Sequence, residues 1–169
     1  QELERSGYIP NMAGILLARN NSRIIGVVVN DHEKYEGRVL EDGFVMSSLN
    51  ALSHEVNEKG YFLMIKTTSD ISEIPVFASM WNMDGLILMG FCEADYEKLR
   101  NQMRISFVVY DGYFEKCSKV VNLVINHYDG GYQVGKYLKE LGHKKALCIA
   151  DNFICMDKER IEGFSKAFG

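Results

Sequence analysis

Three short polar stretches could hold a small hydroxylated ligand. Asn30-Asp31, Gly90-Phe91 and Asp111 each follow directly on an apolar run. Carboxylates and amides offer the acceptors and donors that sugar hydroxyls need, and an aromatic ring offers a flat apolar face. If the apolar runs are parallel strands, their carboxyl ends lie along one edge, where open α/β sheets bind ligands. Covalent or metal chemistry finds no such support. His32, His54, His127 and His143 lie apart, with no paired acid and base and no nucleophile elbow. Cys92, Cys117, Cys148 and Cys155 form no CxxC pair and have no metal-like histidine spacing, so they read as buried or idle thiols in a reducing compartment. Gly130-Gly131 lacks the following Lys-Ser/Thr of a phosphate loop. No enzymatic activity, metal or cofactor is expected.

The elements that would carry these residues alternate. Ile24 to Val29 is a continuous β-branched run, suited to a strand buried on both faces. Val45, Leu49, Leu52 and Val56 line one face of a helix ending at Gly60, and Tyr61 to Ile65 is the next strand. Ile74, Phe77, Ala78 and Trp81 mark a helix begun near Pro75, followed by a strand over Gly85 to Met89. Tyr96, Leu99 and Met103 mark a third helix before a strand over Ile105 to Tyr110, and Val120 to Ile125 is another. A helix opened by Gly130-Gly131 and closed by Gly142 then leads to an apolar stretch, Ala146 to Ala150, that reads as a strand. On that helix Val134, Leu138 and Leu141 share one face, and Gly131 and Gly135 would let it lie close to a sheet. A last helix spans Lys158 to Phe168. Such alternation predicts an α/β fold, a doubly wound parallel sheet with right-handed crossovers.

Composition agrees with a globular chain: 47% hydrophobic and 25% charged residues. The net charge of −4 announces no nucleic-acid surface, so any DNA contact must come from a local basic element. No apolar run reaches membrane-spanning length, and Gln1 to Arg5 is not a secretory signal, which points to the cytoplasm.

Several landmarks fall in a familiar order. Tyr8-Ile9-Pro10-Asn11, Ile25-Gly26-Val27-Val28-Val29, Gly60-Tyr61, Asp84-Gly85-Leu86-Ile87-Leu88 and Val109-Tyr110-Asp111 precede Gly130-Gly131-Tyr132, Leu141-Gly142-His143-Lys144 and Arg160-Ile161-Glu162-Gly163-Phe164. Together they resemble the lactose/galactose-repressor family of sugar-responsive transcription regulators across essentially the whole chain. The resemblance implies a periplasmic-binding-protein-like core of two Rossmann-like subdomains that clamp an effector, preceded by a helix-turn-helix head. It divides the chain into the end of the head and the hinge helix (1–19), most of the first subdomain (20–125) and the start of the second (126–169). It also implies that a head and much of a second half lie outside this sequence.

The same resemblance assigns roles. Asp111, Arg160 and Phe44 match effector-contacting positions, beside the strand-end residues Asn30 and Asp31. Arg160 is also open to an ion-pair role that holds the last helix. Leu17 matches the hinge leucine that wedges into the minor groove, with Asn11 at the hinge and Arg19 placed to neutralise a phosphate. Operator DNA, a small carbohydrate or phosphosugar, and a second copy of the chain are the implied partners. A solute-binding protein of a sugar transport system, sharing the core fold, is the alternative. Two departures stand out: Gly14-Ile15 replaces the usual Ala-Arg of the hinge helix, and Asn126-His127 replaces the usual Asp-Asn before the paired glycines. Gly14 weakens a helix, and there no arginine reaches toward DNA.

Overall fold

The computed structural model of the chain describes residues 22–112, 120–150 and 155–169. Asn11, Leu17 and Arg19, expected at a hinge, and Cys117 lie outside them. Five parallel strands form one sheet in the order β2-β1-β3-β4-β5. They are β1 (Ile24–Asn30), β2 (Phe62–Thr68), β3 (Gly85–Met89), β4 (Phe107–Tyr110) and β5 (Val121–Leu123). Helices α1 (Gly43–Glu58), α2 (Glu73–Met80) and α3 (Glu93–Gln102) connect the first four strands. Helices α4 (His127–Glu140) and α5 (Cys155–Phe168) follow β5.

The β-branched run explains the centre of the sheet. β1 pairs with β2 on one side and β3 on the other, so its side chains meet helices on both faces. Val28 packs with Ile74, Leu88, Phe91, Tyr96, Leu99 and Val109. Val27 and Val29 pack on the opposite face with Val39, Val45, Leu49 and Met89. That split by alternate residues is the period of a strand. Each fully buried valine contributes about 1.5–3 kcal/mol. Asp84 fixes where β1 begins: its carboxylate accepts the backbone N–H groups of Ser22 (3.2 Å) and Arg23 (2.9 Å), while its own N–H donates to Ile24 O (3.0 Å).

The loop from Asp31 to Glu41 folds into two short 3-10 turns, Glu33–Tyr35 and Val39–Glu41, the second burying Val39 under the sheet. Asp42 then caps α1, its Oδ1 accepting from Phe44 N (2.9 Å) and Val45 N (3.1 Å). Such a cap satisfies two of the orphan donors at a helix start.

Four sequence expectations need correction. Ala146 to Ala150 forms no strand, and Leu147 and Ile149 are exposed. A strand needs a ladder partner, and none of the described residues supplies one here. The strand expected over Val120 to Ile125 contracts to Val121–Leu123, with Val124 and Ile125 exposed, because among the described residues β5 pairs with β4 alone. Trp81 is the exposed C-cap of α2 rather than part of its buried face, which is Ile74 and Ala78. Gly131 and Gly135 face α5, not a sheet, and Val134 and Leu141 are exposed. The end of α4 is as expected. Gly142 turns the chain at φ +85°, and His143 N–H reaches back to Leu138 O (3.2 Å).

Candidate functional site at the carboxyl edge of the sheet

Strand order reverses between β1 and its two neighbours, since the chain moves from β1 outward to β2 and then returns to β3 on the other side. The carboxyl ends of β1 and β3 therefore flank a topological switch point, the usual place for a ligand crevice in such sheets. Asn30 closes it on one side, its Nδ2 donating to Gly90 O (3.0 Å). Gly90 N in turn donates to Tyr110 O (3.1 Å), so Asn30, Gly90 and Asp111 stand at three adjacent strand ends. Asp31 is held by its N–H to Thr68 O (3.3 Å).

Aromatic surface at this edge comes from Phe44 rather than Phe91. The Phe91 side chain is buried in the core, so the sequence-based placement of Phe91 as a platform is overturned. Phe44, half-exposed in the first turn of α1, stacks on Tyr110 with ring centroids 5.8 Å apart and planes at 16°. Tyr110 is steadied at its hydroxyl by Ser48 Oγ (3.2 Å).

Asp111 is the most constrained residue of the site. Its φ of 53° is left-handed, an arrangement that Asp tolerates better than most residues but that still costs about 1–2 kcal/mol. Its N–H donates to Leu123 O (2.9 Å), tying the bend to β5. The carboxylate Oδ1 lies 3.7 Å from His127 Nε2. His127 Nδ1 accepts from Arg160 Nε (3.1 Å), and Arg160 Nη1 also pairs with Asp157 Oδ1 (3.2 Å). With Nδ1 accepting, the imidazole proton is assigned to Nε2, facing Asp111. At 3.7 Å the two atoms are too far apart for a hydrogen bond.

Burial governs both titrations. Desolvation holds the Asp111 carboxyl above the usual range, against the pull of His127 and Arg160, and Asp42 adds to the rise. Desolvation first, and the Arg160 guanidinium second, hold His127 below its usual value, against Asp111, Glu159 and Asp157. A neutral histidine thus sits between a carboxylate and a guanidinium. Among the described residues, Asp31 Oδ1, Asn122 Oδ1 and His127 Nε2 are buried without a hydrogen-bond partner. Buried polar atoms are normally satisfied, so this edge retains hydrogen-bonding capacity for a polar guest.

The structure brings Asn30, Asp31, Phe44, Asp111 and Arg160 to one edge of the sheet. Arg160 makes the ion pair open to it within α5, with Asp157, and its Nε also reaches His127. Sequence reasoning missed His127 as its centre, although the unusual Asn126-His127 pair was a signal. Asn126 is explained locally, because its Oδ1 caps α4 through Asp129 N (2.9 Å), which sets the ring of His127 just inside the first turn.

No family model matches the chain. It is 27% identical over 177 residues to the HTH-type transcriptional repressor PurR of Vibrio atlanticus, covering 98% of this chain and 49% of the relative. Identity to the PurR repressor of Vibrio cholerae is 25%, again over 177 residues, with 99% and 49% covered. The chain spans about half the length of the curated relatives it matches. Among solved structures, the lac repressor dimer bound to operator and the anti-inducer ONPF superposes with TM-score 0.79 at 17% identity, covering 98% of this chain and 49% of that one. The transcriptional regulator CelR–cellobiose complex gives TM-score 0.73 at 16% identity, with 98% and 49% covered. The Pseudomonas putida Cra regulator in complex with fructose 1-phosphate gives 0.68 at 15% identity, with 86% and 53% covered.

Proposed function

We propose that the chain belongs with the repressors of the lactose/galactose family and is part of the effector-binding core of a DNA-binding transcription regulator, a cytoplasmic repressor. Its relatives are transcription regulators rather than enzymes. Residues 20–125 make most of one subdomain and 126–169 begin the other, with residues 1–19 as hinge and end of the head. Asn11, Leu17 and Arg19 act at the operator.

The effector is a small carbohydrate or phosphosugar, held between the strand ends and the α4/α5 pair. The observation that carries this reading is the Asp111–His127–Arg160 cluster. It joins the carboxyl edge of the sheet to two helices that follow it, around buried polar atoms with hydrogen-bonding capacity in reserve. Asp111 accepts from sugar hydroxyls, Arg160 and the Nε2–H of His127 donate, and Phe44 offers the apolar face of a ring. Regulators bound to cellobiose and to fructose 1-phosphate share the fold and support this ligand class.

Effector binding that favours one setting of the helix pair over another shifts the hinge and hence operator affinity, typically by about 5- to 150-fold. A homodimer presents two hinges to a two-fold operator. The test is operator affinity of the full-length protein across mono- and disaccharides and their phosphates. At least one should move the Kd roughly tenfold, within the range typical of such coupling. An operator affinity that none of them moves refutes the reading.

A further inference from the structure

Cys92 and Cys155, 63 residues apart in sequence, meet with their sulfurs 2.7 Å from each other. Cys92 precedes α3, just beyond the carboxyl end of β3, and its backbone N–H is fixed by Asp95 Oδ2 (3.1 Å). Cys155 opens α5, five residues before Arg160, with a left-handed φ of 52°. Both are free thiols and both are partly exposed, so a small oxidant can reach the pair. A disulfide requires sulfurs about 2.05 Å apart, an approach the present contact nearly completes. We propose that Cys92 and Cys155 are a redox modification site, a dithiol that a hydroperoxide converts to a disulfide, fastening the start of α5 to the sheet.

The two cysteines differ in chemistry. Burial, then the contact with Cys155, pushes the Cys92 thiol up to about 12, which keeps Cys92 protonated and suits it to the second, resolving step. The Cys155 thiolate attacks one peroxide oxygen, the O–O bond breaks, and the departing hydroxide takes up a proton as water. Cys155 is then a sulfenic acid. The Cys92 sulfur, losing its proton, attacks the Cys155 sulfur, the S–O bond breaks, and a second water leaves. Two thiols and one hydrogen peroxide thus give one disulfide and two waters, two electrons passing from sulfur to oxygen. In a reducing compartment such a bond is transient, as sensing disulfides are.

The consequence for α5 follows from where the bond sits. Arg160 lies about one and a half turns beyond Cys155, and Arg160 orients His127. A covalent tie at the start of α5 therefore restricts movement of the helix that carries Arg160. The bond itself is independent of the effector reading; only its effect on regulation rests on it.

The experiment is peptide mapping of the full-length protein after one equivalent of hydrogen peroxide, digested without reduction. The expected product links the peptides bearing Cys92 and Cys155, lighter by two hydrogens than their sum, and disappears with dithiothreitol. Cys148→Ser should leave its yield unchanged, since Cys148 is exposed and Cys92 already meets Cys155. Cys155→Ser should leave Cys92 reduced at the same dose. Linkage through Cys117 or Cys148 instead, or over-oxidation of Cys155 with Cys92 still a thiol, overturns the proposal. Hydrogen exchange of the α5 amides should slow at least tenfold in the linked form, and unchanged exchange overturns the fastening of α5. Neither readout involves a sugar or an operator, so failure here and failure of the effector reading are separable.

Discussion

Adjacent glycines of α4 should respond in opposite directions to the same added methyl group. A Cβ at Gly130 would meet nothing within 4 Å, whereas one at Gly131 would run into the backbone carbonyl of Arg160 in α5. The contact is reciprocal, because a Cβ at Gly163 would strike the carbonyl of Tyr128, and one at Gly135 would sit 2.5 Å from Phe164 O and 3.1 Å from Ala167 Cβ. Glycine to alanine in a helix interior gains about 0.5–1 kcal/mol from backbone entropy, and Gly130→Ala should gain roughly that. Gly131→Ala gains the same amount but forces two backbones apart, and overpacking of this kind costs about 1–3 kcal/mol. Its net effect should be destabilising by up to about 2 kcal/mol, leaving the two variants separated by roughly 1–3 kcal/mol. Urea denaturation followed by far-UV circular dichroism reads the sign, and hydrogen exchange of amides in 127–168 localises it. If Gly131→Ala raises the midpoint as Gly130→Ala does, α4 and α5 do not touch backbone to backbone, and the position of Arg160 derived from that contact fails with it.

Three further outcomes follow from the site and its frame. His127 is held below its usual 6.5 by burial and Arg160, so it contributes stability that is present above that pH and lost as pH falls through the lowered value. His127→Gln should flatten the fall in urea midpoint as pH is taken from 7.5 downward, and an unchanged slope would refute the buried neutral imidazole. Asp111 has the opposite sign: its raised carboxyl favours the fold below the usual 3.8, and that contribution is lost as pH rises through the raised value. Asp111→Asn should therefore change neutral-pH stability by less than about 1 kcal/mol yet weaken effector binding to the full-length protein by roughly 10- to 100-fold, the loss of a hydrogen bond to a charged group. Calorimetry against the active sugar checks this, and an affinity equal to that of the unaltered protein would remove Asp111 from the site. Asp84→Ala should cost about 1–3 kcal/mol by freeing the Ser22 and Arg23 amides, with effector affinity unchanged in the same assay.

The parts of this protein legible in its sequence are those fixed by neighbours in the chain. Ile24 to Val29 announced a strand buried on both faces because β-branched residues without alternation fit little else. Once parallel strands were expected, Asn30, Asp31 and Asp111 had to share an edge, so half the site came from topology alone. Ala146 to Ala150 has the same apolar character, but strand formation depends on a partner, and composition does not reveal one. Trp81 failed for a related reason, since α2 ends one residue before it and helical spacing no longer says which way it points.

What stayed hidden was the docking of α5. Asp111 and His127 are 16 residues apart, His127 and Arg160 a further 33, and Cys92 and Cys155 63. No periodic pattern spans such distances. Yet the docking has a local cause, three glycines that let α4 and α5 approach until carbonyls touch the opposite helix. Gly131 lies against the carbonyl of Arg160, the residue whose guanidinium reaches His127 one turn earlier on α4. The spacing of His127 and Gly131, four residues, places both on one face of α4. The same helix face that admits the backbone of Arg160 therefore also receives its side chain, so a methyl group added at Gly131 would push the guanidinium away from His127.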